Sequence, residues 1–376
     1  VAAADPLKML GAHLPPPPKG RTFVAAAGKA AASMAVAVEQ NFSGTLEGIA
    51  VTRYKHGLPT RHIEVVEAGH PVPDDAGENA ARRILHEARS LGADDLLLVL
   101  ISGGGSSLLS LPAPGVTMAQ LKALTGELLR SGAEIREMNT VRKHLSAIAG
   151  GRLAAASRAP VLALIISDVV GDDPTHIASG PCAADPTTID DAKAVLAKYR
   201  IGFAGPFSES PKTVKATNKV VATALGSLQA AAQVFDKNGI RPIILGDTIT
   251  GEAREVGREM AALARRTQGP AALISGGECT VTLRGQGGRG GRCSEFLLAL
   301  GIELGDVWAM AADTDGIDGS EDNAGAVWSP ELGKRSGARE ALERHDSYGF
   351  FKDAGTLVVT GPTRTNVNDY RAIVVP

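Results

Sequence analysis

Aromatic residues are scarce in this chain. Phenylalanine, tyrosine and tryptophan make up 4% of 376 residues, too few for the stacking platforms on which proteins hold single-stranded nucleic acid. An excess of one charge is missing as well: 39 Lys and Arg stand against 41 Asp and Glu, a net charge of −2. Bulk attraction to a polyanion is thereby excluded, no nucleic-acid partner is expected, and any phosphate recognition has to be local. No apolar run reaches the roughly 18–20 residues of a membrane span, and no secretory signal is visible, so no membrane partner is expected. The three cysteines, Cys182, Cys279 and Cys293, are odd in number and spaced unlike metal ligands. They read as reduced structural thiols of a cytoplasmic protein. The chain starts at Val1 rather than Met, which points to a native start upstream.

What the chain does have is length, apolar residues and glycine. With 376 residues and 44% hydrophobic content it is expected to form two domains, since single cores rarely grow past roughly 250–300 residues. After the polyproline connector 14–20, residues 21–27 read as a strand, Gly28 as a tight turn and 29–35 as a helix. Helical spacing over 77–91 feeds a strand at 95–101. Thr117 is expected to cap a helix to Arg130, a second helix covers 135–148, and 161–168 is a buried strand. Strands alternating with helices indicate βαβ units and a mostly parallel sheet. The aperiodic stretch 202–215 marks a domain boundary, giving domains 1–212 and 213–376. Beyond it the spacing predicts helices over 219–237, 251–266 and 294–303. Strands are expected at 242–245, 271–275, 280–283 (hairpinned to the strand before it), 307–312, 356–360 and 370–375. The second half therefore reads as a mixed α/β domain.

Two strand ends carry nearly the same turn: Ser102-Gly103-Gly104-Gly105-Ser106-Ser107 and Ser275-Gly276-Gly277-Glu278. Glycine leaves backbone N–H groups free to approach an anion, so the first loop is a phosphate cradle or, on the blander reading, a tight turn. Lys29 at a first helical turn opposes the helix dipole; it serves a ligand or is a surface lysine. The turn around it spells neither a Walker A loop nor Gly-x-Gly-x-x-Gly. The loop 284–292 has five glycines and three arginines. Arg292, just before a helix, is placed to meet an anion at that helix N-terminus, although a plain flexible loop is the alternative. Asp168, Asp172 and Asp173 follow one strand; Asp313, Asp315 and Asp318 follow another. Carboxylates at strand ends hold Mg²⁺ beside phosphates, or serve as ordinary turn residues. The tail 360–369, rich in donors and acceptors, closes a substrate site or caps a turn.

Taken in order, Ile101–Ser107, Ile166–Asp172, Ala178-Ser179-Gly180-Pro181, Ile274–Glu278, Ala312–Gly319 and Gly361-Pro362-Thr363 resemble the glycerate 2-kinase family with a C-terminal MOFRL domain. The resemblance covers nearly the whole chain. It implies two α/β domains, the first a Rossmann-like three-layer sandwich with a mostly parallel sheet and the second a smaller mixed-sheet MOFRL domain, with the active site in the cleft between them. It implies ATP-dependent phosphorylation of D-glycerate to 2-phosphoglycerate with Mg²⁺ or a similar divalent ion; a homodimer is left open. Lys29, Arg292 and Asp168 fall in catalytic roles, Ser102, Gly103, Gly104, Gly105, Ser106 and Ser107 on phosphate, Glu278 and Asn366 on substrate, and Asp315 and Asp313 on metal. Arg364 and Cys293 depart from the pattern, standing where a small residue and Asn are expected, and a leading helix is missing. Members of the family have been labelled hydroxypyruvate reductases. An NAD(P)H-dependent reductase, and a non-catalytic sugar-acid or phosphate-binding protein, are the rival readings.

Overall fold

The computed structural model describes residues 1–283 and 287–376; Arg284, Gly285 and Gln286 of the Gly/Arg-rich loop lie outside the described residues. The chain forms two compact units, one of Asp5–Val221 and one of Val1–Ala4 with Ala222–Pro376. The division comes a little beyond the break expected at 212. The reason is that the start of the helix expected at 219 is instead a strand, the edge strand of the first sheet.

In the Asp5–Val221 unit a short α1 (Pro6–Met9) precedes β1 (Thr22–Ala27) and α2 (Ala31–Asn41). Strands β2 (Leu46–Arg53) and β3 (Ile63–Ala68) follow, then α3 (Asp75–Ser90), β4 (Leu96–Ile101) and the single turn α4 (Gly105–Leu108). Helices α5 (Met118–Arg130), α6 (Ile135–Lys143) and α7 (Arg152–Ala156) lead to β5 (Val161–Ile166), and α8 (Ile189–Lys198) leads to β6 (Thr217–Ala222). The sheet order is β3-β2-β1-β4-β5-β6, parallel from β3 through β5. Every residue of β1 and β4 is buried, as a sheet covered on both faces requires. Phe23, Ala25, Leu97 and Val99 share a core with Ile84 of α3 and Leu153 of α7. The alanine-rich α2 is buried along most of its length. This is the Rossmann-like three-layer arrangement, and its strand order is that of the dinucleotide-binding fold. A second core joins α5, α6 and α8 through Leu124, Leu128, Met138, Val141 and Leu196.

Thr117 caps α5 as expected, in a reciprocal capping box with Gln120. Helix α6 stops at Lys143 rather than running to 148. There the chain turns back, and the Leu145 carbonyl accepts from the Ala113 N–H at 2.8 Å.

The second unit runs α9 (Ala224–Lys237), β7 (Arg241–Glu252), α10 (Ala253–Arg266), β8 (Ala271–Thr280), α11 (Arg292–Leu304), β9 (Trp308–Asp313) and β10 (Gly325–Trp328). Then come α12 (Ala338–Glu343), α13 (Ser347–Ala354), β11 (Leu357–Val358) and β12 (Asp369–Val375). Its sheet, β11-β10-β9-β12-β8-β7, is mixed: β7 and β8 are parallel and the other pairs antiparallel. Leu273, Ala309, Ala311 and Ile373 pack with α10 and α11 on one face around Trp328 and Phe351. Ala272 and Ile274 meet Leu228 and Ala232 of α9 on the other.

The hairpin expected between 271–275 and 280–283 does not form. Strand β8 runs unbroken through Ser275-Gly276-Gly277 and pairs with β7 across two register shifts. Gly277 has φ 112°, and a Cβ there would lie 2.1 Å from the Ile249 carbonyl oxygen. These glycines admit a neighbouring strand. The second Ser-Gly-Gly is strand interior, not an anion-cradling turn. Among the described residues no helix is long and apolar enough to cross a membrane, and all three cysteines are buried and unpaired.

Candidate active site

In the Asp5–Val221 unit the strand order reverses between β1 and β4. Ligands of open α/β sheets bind beyond the strand ends at such a switch point. There the β1–α2 turn and the β4–α4 turn lie against each other. Gly28 has φ 130°, and a Cβ on it would stand 2.2 Å from Ser102 Oγ and 2.5 Å from the Ser102 carbonyl oxygen. No other residue type fits. Ser102 Oγ accepts from the Ala30 N–H at 3.0 Å, and the Gly103 carbonyl accepts from the Lys29 N–H at 2.8 Å. Helix α2 therefore begins without a capping side chain of its own, with the half-buried Lys29 beside its first turn.

The loop 102–107 is held from within. Ser102 is wholly buried, and Ser107 donates to the Gly104 carbonyl at 3.1 Å, so these two hydroxyls shape the loop rather than face outward. Gly104 (φ 82°) lies where a Cβ would be 2.8 Å from His70 Nε2 and 3.5 Å from Lys29 Cγ, so both side chains lie close to the turn. Ser106 Oγ shares a 2.9 Å hydrogen bond with Ser179 Oγ, and Ser179 Oγ donates to Asn139 Oδ1 at 3.3 Å. Ser179 belongs to a run of three left-handed residues: Ala178 (φ 50°, ψ 29°), Ser179 (φ 59°) and Gly180 (φ 61°, ψ 56°). For residues with a Cβ this shape costs on the order of 1–3 kcal/mol each, and such strain clusters at functional sites. Asp168, half-buried, follows β5, the neighbour of β4, and so belongs to the same sheet edge. The structure thus gathers Lys29, the 102–107 loop and Asp168. It adds His70, Asn139 and Ser179, of which only Ser179 carried a sequence signal, in its Ala-Ser-Gly-Pro motif.

The second unit builds a different cluster. Arg292 is the first residue of α11. Its Nε donates to Asp369 at 2.9 Å, Nη1 to Glu278 at 3.0 Å and Nη2 to Asp313 at 2.7 Å. Burial works against its charge, but Asp369, Asp313 and Glu278 more than offset this and hold the proton more firmly than usual. Asp369 also takes a 2.7 Å hydrogen bond from the buried Arg371. The helix N-terminus beside Arg292 does receive an anion, but it is the protein's own. Asp318 accepts from the Cys293 and Ser294 N–H groups, each at 2.9 Å, and from Ser294 Oγ at 2.6 Å. Burial pushes the Asp318 carboxyl up to about 6 against those three bonds. Asp318 thus caps α11.

Asp315 and Asn366, both buried, are brought together by two interlocked loops. The Thr363 N–H donates to the Asp315 carbonyl at 3.0 Å, and the Val367 N–H donates to Thr314 Oγ1 at 2.9 Å. The Asp315 N–H donates to Asp313 Oδ1 at 3.0 Å. Among the described residues no group of three or more His, Cys, Asp or Glu is arranged around a metal position. Asp313 already accepts from Arg292 and from the Asp315 N–H, and Asp315 from the Ile317 N–H at 2.8 Å; carboxylates of this number are what Mg²⁺ takes from a protein, its other ligands being phosphate and water. A cavity of about 420 Å³, walled by Ala224, Leu228, Met310 and Val358, opens against Asp313 and Asp369. Its volume lies in the range of small-molecule pockets.

Both units resemble known proteins. Residues 1–216 match a domain of unknown function, DUF4147, and residues 271–369 match the MOFRL family. A glycerate 2-kinase of Pyrococcus horikoshii is 39% identical over 95% of this chain and 88% of its own length. The chain belongs to the MOFRL-domain glycerate 2-kinase family. A crystal structure of a Thermotoga maritima glycerate kinase superposes with a TM-score of 0.88 at 36% identity, covering 100% of this chain and 96% of that one. An Agrobacterium vitis protein provisionally named a hydroxypyruvate reductase is 50% identical over 100% of this chain and 92% of its own length. Lys29, the 102–107 loop and Asp168 lie within the first family match. Glu278, Arg292, Asp313, Asp315 and Asn366 lie within the MOFRL match.

Proposed function

We propose that this protein is an ATP-dependent kinase that phosphorylates D-glycerate at its 2-hydroxyl to give 2-phosphoglycerate. The observation that carries this reading is Lys29 beside the 102–107 loop at the β1/β4 switch point. That turn is where a dinucleotide enzyme of this strand order keeps Gly-x-Gly-x-x-Gly. Here it holds one glycine and a lysine, which suits phosphate and not a nicotinamide dinucleotide. The kinases of Pyrococcus and Thermotoga among its relatives support the same reading.

In the reaction the 2-hydroxyl oxygen forms a bond to the γ-phosphorus, the bond from that phosphorus to the β–γ bridging oxygen breaks, and ADP leaves. Catalysis of such a step is positioning and charge neutralisation. The 102–107 loop presents backbone N–H groups to phosphate oxygens, and Lys29 neutralises the transferring group. Asp168, on the same sheet edge, is the carboxylate assigned to the hydroxyl proton. Arg292 contributes its fixed guanidinium, and Glu278 and Asn366 face substrate. A divalent cation, most simply Mg²⁺, would be held by Asp315 with Asp313 and would supply charge neutralisation for the phosphate being transferred. The buried free thiols fit a reducing compartment, and we assign the protein to the cytoplasm.

The test is a coupled assay on the purified protein with ATP, Mg²⁺ and D-glycerate, run beside NADH with hydroxypyruvate. Turnover is expected only in the first, with phosphate on carbon 2. Lys29→Ala is expected to lower kcat by roughly 100-fold or more with an unchanged melting temperature. Oxidation of NADH by hydroxypyruvate, or near-normal kinase turnover in Lys29→Ala, sinks the assignment.

A further inference from the structure

The kinase reading leaves one question of recognition open: what holds the carboxylate of the acceptor acid. Arg292 is ill suited, because three carboxylates already share its guanidinium. The other half-buried or buried cations of known partners are similarly engaged. Lys143 is locked to Asp185 at 2.6 Å, Arg254 to Glu295 at 2.6 Å, and Arg152 to the carbonyls of Lys143 and Ser208 at 2.7 and 2.8 Å.

Arg142 differs. It lies on α6 one turn after Asn139, and its Nη2 donates to Asn139 Oδ1. Among the described residues, Nε and Nη1 have no protein acceptor and no carboxylate lies within ion-pair reach. Nε is fully enclosed. Burial alone lowers the guanidinium to about 10, with no acid beside it to hold the proton. A cation withdrawn from water without a counter-ion is costly. The position makes physical sense when an anion arrives. It is also well placed, since Arg142, Asn139, Ser179 and Ser106 form one unbroken chain of side-chain hydrogen bonds ending in the glycine loop.

We propose that Arg142 receives the carboxylate of the hydroxy-acid substrate, with Asn139 holding its guanidinium and the Ser179–Ser106 link fixing it relative to the phosphate loop. Arginine's planar fork matches a carboxylate with two parallel hydrogen bonds, which a lysine cannot reproduce. Arg142 is therefore the group that separates a hydroxy acid from a neutral polyol of the same length.

The proposal rests on the kinase reading, and the experiment keeps the two apart. Initial rates are measured for the wild type, Arg142→Lys and Arg142→Met with D-glycerate, with D-glyceramide and with ATP as the varied substrate. Expected in both variants is a rise of about ten- to hundredfold in KM for D-glycerate, with KM for ATP and kcat changed by less than about threefold. The preference for glycerate over glyceramide shrinks in step. An unchanged KM for glycerate, or a rise confined to KM for ATP, overturns the proposal. Should the wild type phosphorylate no glycerate, the kinase reading falls, and the assignment is then decided by binding alone. D-glycerate should raise the melting temperature of the wild type and leave that of Arg142→Lys unmoved; a shift in both, or in neither, rejects it. Arg142→Lys keeps the charge, so it serves where Arg142→Met does not fold.

Discussion

At the scale of single residues, the most constrained groups are charges that the fold has taken out of water. Lys143 and Asp185 are both buried, and Asp185 also takes hydrogen bonds from Thr187 Oγ1 and Ser210 Oγ, each at 2.7 Å. Burial disfavours its ionised form, yet the bonds from Lys143, Thr187 and Ser210 win and hold the carboxyl down from 3.8 to about 2. A depressed carboxyl stabilises the fold above its unfolded pKa. This contribution, roughly 2 kcal/mol, is complete above about pH 4 and is lost as the pH falls through about 2. Asp185→Asn is expected to lower stability by about 3–5 kcal/mol at neutral pH, because it leaves Lys143 buried and unpaired. The variant should also lose the part of the acid unfolding that falls between pH 4 and 2; urea titrations at several pH values measure both. Neither Lys143 nor Asp185 stood out in the sequence. A buried ion pair joins residues far apart in the chain, and only the tertiary fold reveals which lysine meets which aspartate. Lys29 and Arg292 drew attention in the sequence because each stands at the start of a helix in an unusual local composition. Arg142 was not, since mid-helix arginines are ordinary until their surroundings are known.

At the scale of elements, legibility followed the strength of local patterning. Helix α5 was readable to the residue at both ends because Thr117 announces its start and Gly132 its stop. The buried strands β1, β4 and β5 were legible as apolar runs. Strands β2 and β3 passed unnoticed, their alternation diluted by glycine and charge (Leu46–Arg53 and Ile63–Ala68). The hairpin at 271–283 was misread because Gly276-Gly277 looks like a turn. Nothing local shows that a neighbouring strand needs the space, and the contact with Ile249 lies far off in sequence. Glycine therefore does two different jobs here, and substitution tells them apart. Gly28→Ala forces a left-handed residue with a Cβ against the Ser102 backbone, so the β1–α2 and β4–α4 turns must separate. It is expected to destabilise by more than about 2 kcal/mol and to cut turnover by roughly 100-fold through displacement of Lys29. Thr117→Ala removes a cap far from the chemistry and should cost about 1 kcal/mol with turnover unchanged. Melting curves and initial rates on both variants check the contrast.

At the scale of the whole molecule, the near balance of acidic and basic residues bears on kinetics. With a net charge of −2 there is no broad positive field to draw in a triphosphate, so capture relies on the local cation and backbone N–H groups. Raising salt from about 50 to 200 mM should change kcat/KM for ATP by less than about threefold, since steering scales with long-range field. A tenfold or steeper fall in stopped-flow or initial-rate data would point to a charged approach path instead. The strand order β3-β2-β1-β4-β5-β6 was foreseen only as a Rossmann-like sheet. Its consequence for where ligands bind came with the structure, because adjacency of strands is decided by crossovers and not by any local motif.

The left-handed stretch at Ala178 and Ser179 bears on how the protein can be improved. Glycine would adopt that shape freely, and selection for durability alone would favour it at both positions. Laboratory evolution for heat tolerance is accordingly drawn to these two codons. Hardiness gained at Ser179 removes the hydroxyl that holds Ser106 and is exchanged for catalytic throughput.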